Sequence, residues 1–376
     1  MKDSRKAKKS RQIEAKPARF ASFVSNLKKN FKHLEITREM YLLGLLTVFI
    51  ISMIAILFNV IPTSPTIDNQ ELETTEETES NKFRHPLTGE LLETEIEDLQ
   101  VLAIIVENSA DALPLSGLDR AFLAIEAPAE GNIPRILAFF DRSTEITKVG
   151  PIRSVRPYFL DFAKWFNAIV IHVGGSPEAL SRLQGGELRN FNEMTAGNFF
   201  YRQTVGRYAP HNVFTNSELL ETAIRRREYL PDSNPSPLKF GEDFEGEQIE
   251  SFSVDINGTS LYRARWTFDS ETGKFIKSQG GRGQRLLENG NLIAFDNILI
   301  VQTDAVVLDE VGRLRIRTKG EGYAVIFRDG QYKDDLRWFS DGQDFQIEDI
   351  FGNNVYFAPG KTWIHIISSK NQLKLD

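Results

Sequence analysis

VGPIRSVRPYFLDFAKWFNAIVIHVGGSPEAL, from Val149 to Leu180, is the stretch whose reading decides the fold. Arg153 and Arg156 precede a proline, Pro157, and a helical pattern that carries Tyr158, Phe159, Phe162, Trp165 and Phe166. Proline fits the first turn of a helix, where its missing N–H would have had no partner anyway. The apolar run Ala168–Val173 then predicts a strand, and Gly174-Gly175-Ser176-Pro177 turns the chain into a second helix that Ser176 caps.

Before this stretch, three short apolar runs predict strands: Leu99–Val106 (LQVLAIIV), Arg120–Ile125 (RAFLAI) and Arg135–Phe140 (RILAFF). After it comes a loop rich in Gly, Asn and Tyr, Gly185–Asn212, and then Thr215-Asn216-Ser217, which caps a helix running to Arg227. Strands mixed with helices, two of them joined by a crossover helix, predict an α/β or α+β domain over residues 86–230. PDSNPSP, at 231–237, opens a linker placed at 231–244. Beyond it the pattern changes to short strands with turn signals, and Asn257-Gly258 between two β-type runs predicts a hairpin. Residues 245–376 therefore read as an all-β domain, a sandwich or open barrel.

The N-terminal side is organised for a membrane. Residues 1–40 hold 12 Lys/Arg and 4 Asp/Glu, a net of +8, which leaves −15 for the rest of a chain of formal charge −7. Phe20, Phe23, Val24, Leu27, Phe31 and Leu34 fall at helical spacing among lysines, a basic amphipathic pattern suited to an anionic membrane face. Tyr41–Ile61 is 21 residues without a charge, enough to cross the roughly 30 Å hydrocarbon core as a single transmembrane helix. The basic flank before it predicts a cytoplasmic N-terminus, with everything after it crossing the cytoplasmic membrane. Residues 62–85 form an acidic linker.

Several functions are excluded or disfavoured. A strongly acidic body lacks the basic footprint of a nucleic-acid binder. The absence of cysteine removes disulfides, thiolate metal sites, cysteine nucleophiles and a lipidated-cysteine anchor. The sequence contains no H-E-x-x-H, Walker A, G-x-S-x-G or G-x-G-x-x-G, and no metal or cofactor is expected.

The candidate site gathers at predicted strand ends. Arg153, Ser154 and Arg156 precede one helix; His172, Gly174, Gly175 and Ser176 precede the next. Guanidinium forks and helix N-termini suit a carboxylate or phosphate. If the strand ends are neighbours, both arginines face one crevice. Glu107, Asn108, Glu126, Glu130, Arg135, His211 and Asn212 complete the candidate set at the same edge. The bland alternative pairs each arginine with an acid such as Asp161, Glu126 or Glu130 in a structural network. His172, next to Ser176, is either a general base or a satisfied core histidine. Trp266, Trp338 and Trp363 either stack on sugar rings or fill the core.

These residues resemble the YerB family of bacterial envelope proteins, which has two domains of unknown function in tandem. The resemblance covers about residues 86–228 and 247–370. It rests on VENSADALPLSGL from Val106, EAPAEGNIPRILAFF from Glu126, GPIRSVRPYFLD from Gly150, IHVGGSPEAL from Ile171 and APHNVFT from Ala209. In the second domain it rests on DNILIVQ from Asp296, GEGYAVIFRDG from Gly320 and APGKTWIHI from Ala358. It implies a protein anchored outside the cytoplasmic membrane, commonly as a lipoprotein, and carries no enzyme activity over. This chain departs in its anchor and at Gly280-Gly281-Arg282-Gly283-Gln284, where relatives tend to show a histidine and an acid. The expected function is binding of an anionic or glycan ligand, such as a cell-wall precursor, or of a partner protein. The alternative is an envelope hydrolase or phospho-glycan transferase that uses the crevice of Arg153, Arg156 and His172.

Overall fold

A computed structural model describes residues 83–376 and, upstream of them, Thr47 and Ile50. The expected cytoplasmic tail, and almost all of the expected transmembrane helix over 41–61 and of the acidic linker, lie outside the described residues.

The middle strand of the N-terminal half is β1, Val101–Glu107, every residue of which is buried. A strand apolar on both faces must be covered on both, and β1 divides its residues accordingly. Val101, Ala103 and Ile105 enter one core, and Leu102, Ile104 and Val106 enter the other. β1 pairs antiparallel with β3 (Pro134–Asp141), which pairs antiparallel with β2 (Leu123–Pro128). On its other side β1 runs parallel to β4 (Ile169–His172), and β4 parallel to β5 (Asn190–Asn192). Helix α1 (Pro157–Ala163) leads from β3 toward β4, and α2 (Pro177–Gln184) joins β4 to β5 as a parallel crossover. The last helix, α3 (Ser217–Arg226), is capped by Asn216, whose side chain accepts from the Leu219 N–H.

β2 starts at Leu123, later than the expected Arg120, because Leu118–Arg120 forms a 3-10 turn that breaks the extended run.

Beyond residue 244 the described chain is β-structure with 3-10 turns and no α-helix. It contributes β6 (Ser251–Val254), β7 (Ala264–Asp269), β8 (Lys274–Gln279), β9 (Asn297–Gln302), β10 (Gly320–Arg328), β11 (Gln331–Ser340) and β12 (Thr362–Ile367). The Asn257-Gly258 hairpin is looser than expected. β6 and β7 do pair, with Val254 opposite Ala264, but residues 255–263 form a long loop containing a 3-10 turn. Asn257 instead donates to the Gly131 carbonyl, so a contact with the first half competes with a two-residue turn.

The C-terminal half does not stand apart as a closed sandwich. β12 runs parallel to β2, with His365 opposite Glu126, and parallel to β9, which pairs with β10 and then β11. One mixed 11-stranded sheet thus crosses both halves. A second sheet built on β6, β7 and β8, with Leu373–Leu375 at its edge, covers one face of the large sheet through Phe252, Trp266 and Phe275. Helices α1 and α2 cover the other face over the N-terminal half. The segment over 231–244 is stitched down rather than free. Ser233 Oγ accepts from the Val101 N–H, and Gly241 N–H donates to the Phe357 carbonyl. Among the described residues no helix is long and apolar enough to cross a membrane.

Candidate functional site

The predicted strand ends are neighbours, yet the site residues do not meet in one crevice. Residues 152–155 run between the ends of β1 and β4. Arg153 N–H donates to the Ile105 carbonyl at 2.8 Å, and Val173 N–H donates to the Arg153 carbonyl at 3.0 Å. An extended segment sends alternate side chains to opposite sides. Arg153 contacts Glu107, whereas Arg156 pairs with Glu130, and Arg135 reaches the same carboxylate at 3.4 Å. Arg135 also donates to the Ser154 carbonyl at 2.8 Å. Burial would raise the Glu130 carboxyl, but the hydrogen bond from Arg156 and the charges of Arg156 and Arg135 outweigh it, and its pKa falls. Burial, with Arg156 close by, pulls Arg135 down to about 10. Arg156 and Arg135 are therefore held in an acid-matched structural network.

His172 is fully buried, with Nδ1 at 2.7 Å from the Gly174 carbonyl and Nε2 at 3.3 Å from Asn190 Oδ1. Burial lowers its pKa. A neutral ring has one N–H to give, and the shorter contact is to the Gly174 carbonyl, so His172 is a core histidine held from its Nδ1 side. Gly174 adopts φ 61°, donates its N–H to Asn192 Oδ1, and frees the turn from steric conflict in the left-handed region. A Cβ on Gly175 would lie 2.8 Å from Val155 Cγ1, so this glycine allows the two segments to touch. Ser176 Oγ accepts from the Ala179 N–H as the N-cap of α2.

Glu126 and Asn108 belong to a buried polar network between the two sheets. Glu126 Oε1 accepts from Asn108 Nδ2 at 2.7 Å, and Oε2 accepts from Trp363 Nε1 at 3.1 Å, with Lys277 Nζ at 3.5 Å. Lys277, wholly buried, donates to Gln279 and Gln284, and Gln284 donates back to Asn108. Burial pulls the Lys277 ammonium below the ordinary lysine range against the opposing charge of Glu126. Trp266 Nε1 donates to His365 Nε2 at 2.9 Å, so the His365 proton sits on Nδ1, 3.4 Å from Glu126. Burial lowers His365 to about 4, so it stays neutral. Gln284 is thus a structural member of this network. Trp266, Trp338 and Trp363 are all buried core residues.

The remaining candidates form a different corner. Glu107 ends β1 and is buried. Its Oε1 accepts from Ser109 Oγ at 2.8 Å and lies 2.9 Å from His211 Nδ1. Arg153 Nε approaches the same oxygen at 3.4 Å without hydrogen-bond alignment, and Glu107 Oε2 is buried without a partner. Arg207 locks the loop over 203–211 to the loop over 109–114 by donating to the carbonyls of Ala112, at 2.8 Å, and Pro114. Asn212 Oδ1 accepts from Arg202 at 3.2 Å. Between these loops opens a cavity of about 560 Å³, walled by Asp111, Leu113, Arg207, Tyr208, His211 and Leu287 among others. Leu287 comes from the C-terminal half, and its N–H donates to the Leu115 carbonyl.

Sequence reasoning reached Glu107, Arg153 and His211 but not Arg207, Tyr208 or Lys277. Lys277 had a readable signal, since the alternation of KFIKSQ places it on the same face as Phe275 and Gln279. Arg207 and Tyr208 sit in a loop with no period to read. Among the described residues no group of acids and histidines could hold a metal ion.

The geometry defines a β-rich fold with few helices, built from two sequence halves on one mixed sheet, with a cavity of mixed lining at one corner. Residues 87–230 match the N-terminal domain, and residues 253–364 the C-terminal domain, of a family described as a protein of unknown function, DUF3048. The chain is 31% identical over 294 residues to "Putative lipoprotein YerB" of Bacillus subtilis (strain 168), across 77% of this chain and 87% of that protein. A crystal structure of the YerB protein from Bacillus subtilis matches with a TM-score of 0.71 at 29% identity, over 78% of this chain and 100% of that one. The chain belongs to this YerB-like family.

Proposed function

We propose that the protein is an extracytoplasmic component of the bacterial cell envelope. In this reading residues 41–61 hold it in the cytoplasmic membrane with the N-terminus inside. Its globular part binds an anionic or glycan envelope ligand in the cavity beside His211. The observation that carries the reading is the cavity itself: about 560 Å³, with His211 in its wall and the unsatisfied carboxylate of Glu107 behind that ring. Pockets of this size with a few convergent polar groups on an otherwise apolar wall are the usual form of small-ligand sites. The location is supported by the 21-residue apolar segment with its basic flank and by the lipoprotein in the name of the Bacillus relative. The enzyme reading built on His172 finds no support, because that ring is fully buried in the core.

Two measurements test this. The chain has no cysteine, so Glu271→Cys, at an exposed turn, gives a single labelling site. A membrane-impermeant maleimide should label it in intact cells; labelling only after lysis would contradict the topology. Purified full chain in detergent should cosediment with isolated cell wall, and Tyr208→Ala should weaken that several-fold. Equal sedimentation of the two would contradict the cavity.

A further inference from the structure

We infer that the cavity takes an uncharged, hydroxyl-bearing ligand of the sugar class, recognised by His211 Nε2 as a hydrogen-bond acceptor. This rests on the ligand-binding reading above and names its chemistry. The argument starts from Glu107. An ionised carboxylate only accepts hydrogen bonds, so its 2.9 Å contact with His211 Nδ1 places the imidazole proton on Nδ1. With its single proton on Nδ1, the imidazole offers Nε2 as a lone-pair acceptor. No hydrogen bond or ion pair to His211 Nε2 occurs among the described residues. The ring is a quarter exposed and forms part of the cavity wall. Such an acceptor asks the ligand for an O–H or N–H, which a fully deprotonated phosphate or carboxylate cannot give.

The charges around the cavity point the same way. Its lining holds one acid, Asp111, and one guanidinium, Arg207. Both terminal nitrogens of Arg207 donate to backbone carbonyls, so the fork that would grip an anion is already committed. Arg153, the other guanidinium in this corner, faces Glu107. Neither guanidinium therefore presents a free fork to an anion. Much of the remaining wall is apolar, with Leu113, Pro114, Val205 and Leu287 beside Gln203, and Tyr208 is 82% exposed. An aromatic face beside a polar acceptor suits a sugar ring, which has a C–H face and a hydroxyl edge.

The test uses the full chain in detergent, with ¹⁵N-labelled histidine, observed by long-range ¹H–¹⁵N spectra at about pH 8, where an ordinary histidine is neutral. The His211 signals are those missing in His211→Gln. The expected result is the Nδ1–H tautomer, with Nε2 shifting on addition of N,N′-diacetylchitobiose and not of acetate. Glu107→Met should abolish the tautomer preference and weaken the sugar response about three- to tenfold, the range for one lost hydrogen bond. An Nε2–H tautomer in the wild type, or a response to acetate and not to the sugar, would overturn the inference. The Nδ1–H tautomer with no response to either probe would refute the ligand-binding reading beneath it, and the inference with it. The wild-type spectrum decides the tautomer even if Glu107→Met fails to fold.

Discussion

Glu107 and Glu126 invite comparison: two buried carboxylates on β1 and β2, strands of one sheet separated only by β3. Around Glu126 the protein supplies Asn108, Trp363 and Lys277, and the group is sealed between two sheets contributed by both sequence halves. Around Glu107 it supplies Ser109 and His211 and then stops, leaving Oε2 unpartnered behind a ring that borders a cavity. Residue type and burial are alike in the two places. What differs is whether the fold partners both oxygens of the carboxylate, and that difference separates a clamp from a binding site.

The largest expected effect breaks the clamp. Lys277→Met leaves Glu126 as a buried, uncompensated charge and should cost about 3–5 kcal/mol in urea unfolding. Adding Glu126→Gln should recover most of that. A double variant as unstable as the single would show that charge pairing is not what the network contributes.

Acidification should strain the same region. His365 is held near 4 in the fold by burial, against about 6.5 in an unfolded chain. The unfolded state therefore takes up the proton first as pH falls. Stability from the neutral ring is complete above about 6.5 and is lost toward 4, with a slope of roughly 1.4 kcal/mol per pH unit. Buried His172, lowered in the same sense, adds to it. Thermal unfolding followed between these limits should show a shallower acid slope in His365→Gln; an identical slope would remove His365 from the account.

Smaller changes sharpen the other side. Arg156→Ala removes a partly buried pair with Glu130 and should cost about 1 kcal/mol, with the response to chitobiose intact. Loss of that response would restore the single crevice in which Arg153 and Arg156 act together. His211→Gln should stay within about 0.5 kcal/mol of wild type while losing the sugar-induced change. A large loss of stability there would make His211 a structural residue.

Much of the architecture was legible. The all-apolar run that became β1, Pro157 and Pro177 at the starts of helices, and Ser176 and Asn216 as caps all carry local signals, and each element forms where its signal lies. Less legible was the continuity of the large sheet across the linker. Nothing local in TWIHII says that β12 will lie beside β2, a pairing with more than 200 residues between the strands. The partition of the candidate site was hidden for the same reason. Arg153 and Arg156 look equivalent in sequence, and only the extended path of residues 152–155 sends one toward Glu107 and the other toward Glu130.

The most direct test follows thermal unfolding of the full chain, with and without chitobiose, in Glu126→Gln and Glu107→Met side by side. Glu126→Gln should lower the melting temperature strongly and keep the sugar-dependent rise. Glu107→Met, which removes the acceptor facing His211 Nδ1, should change the melting temperature less and lose much of that rise. If both variants lose stability and sugar response in equal measure, the two carboxylates do one job, and the separation of clamp from binding site is wrong.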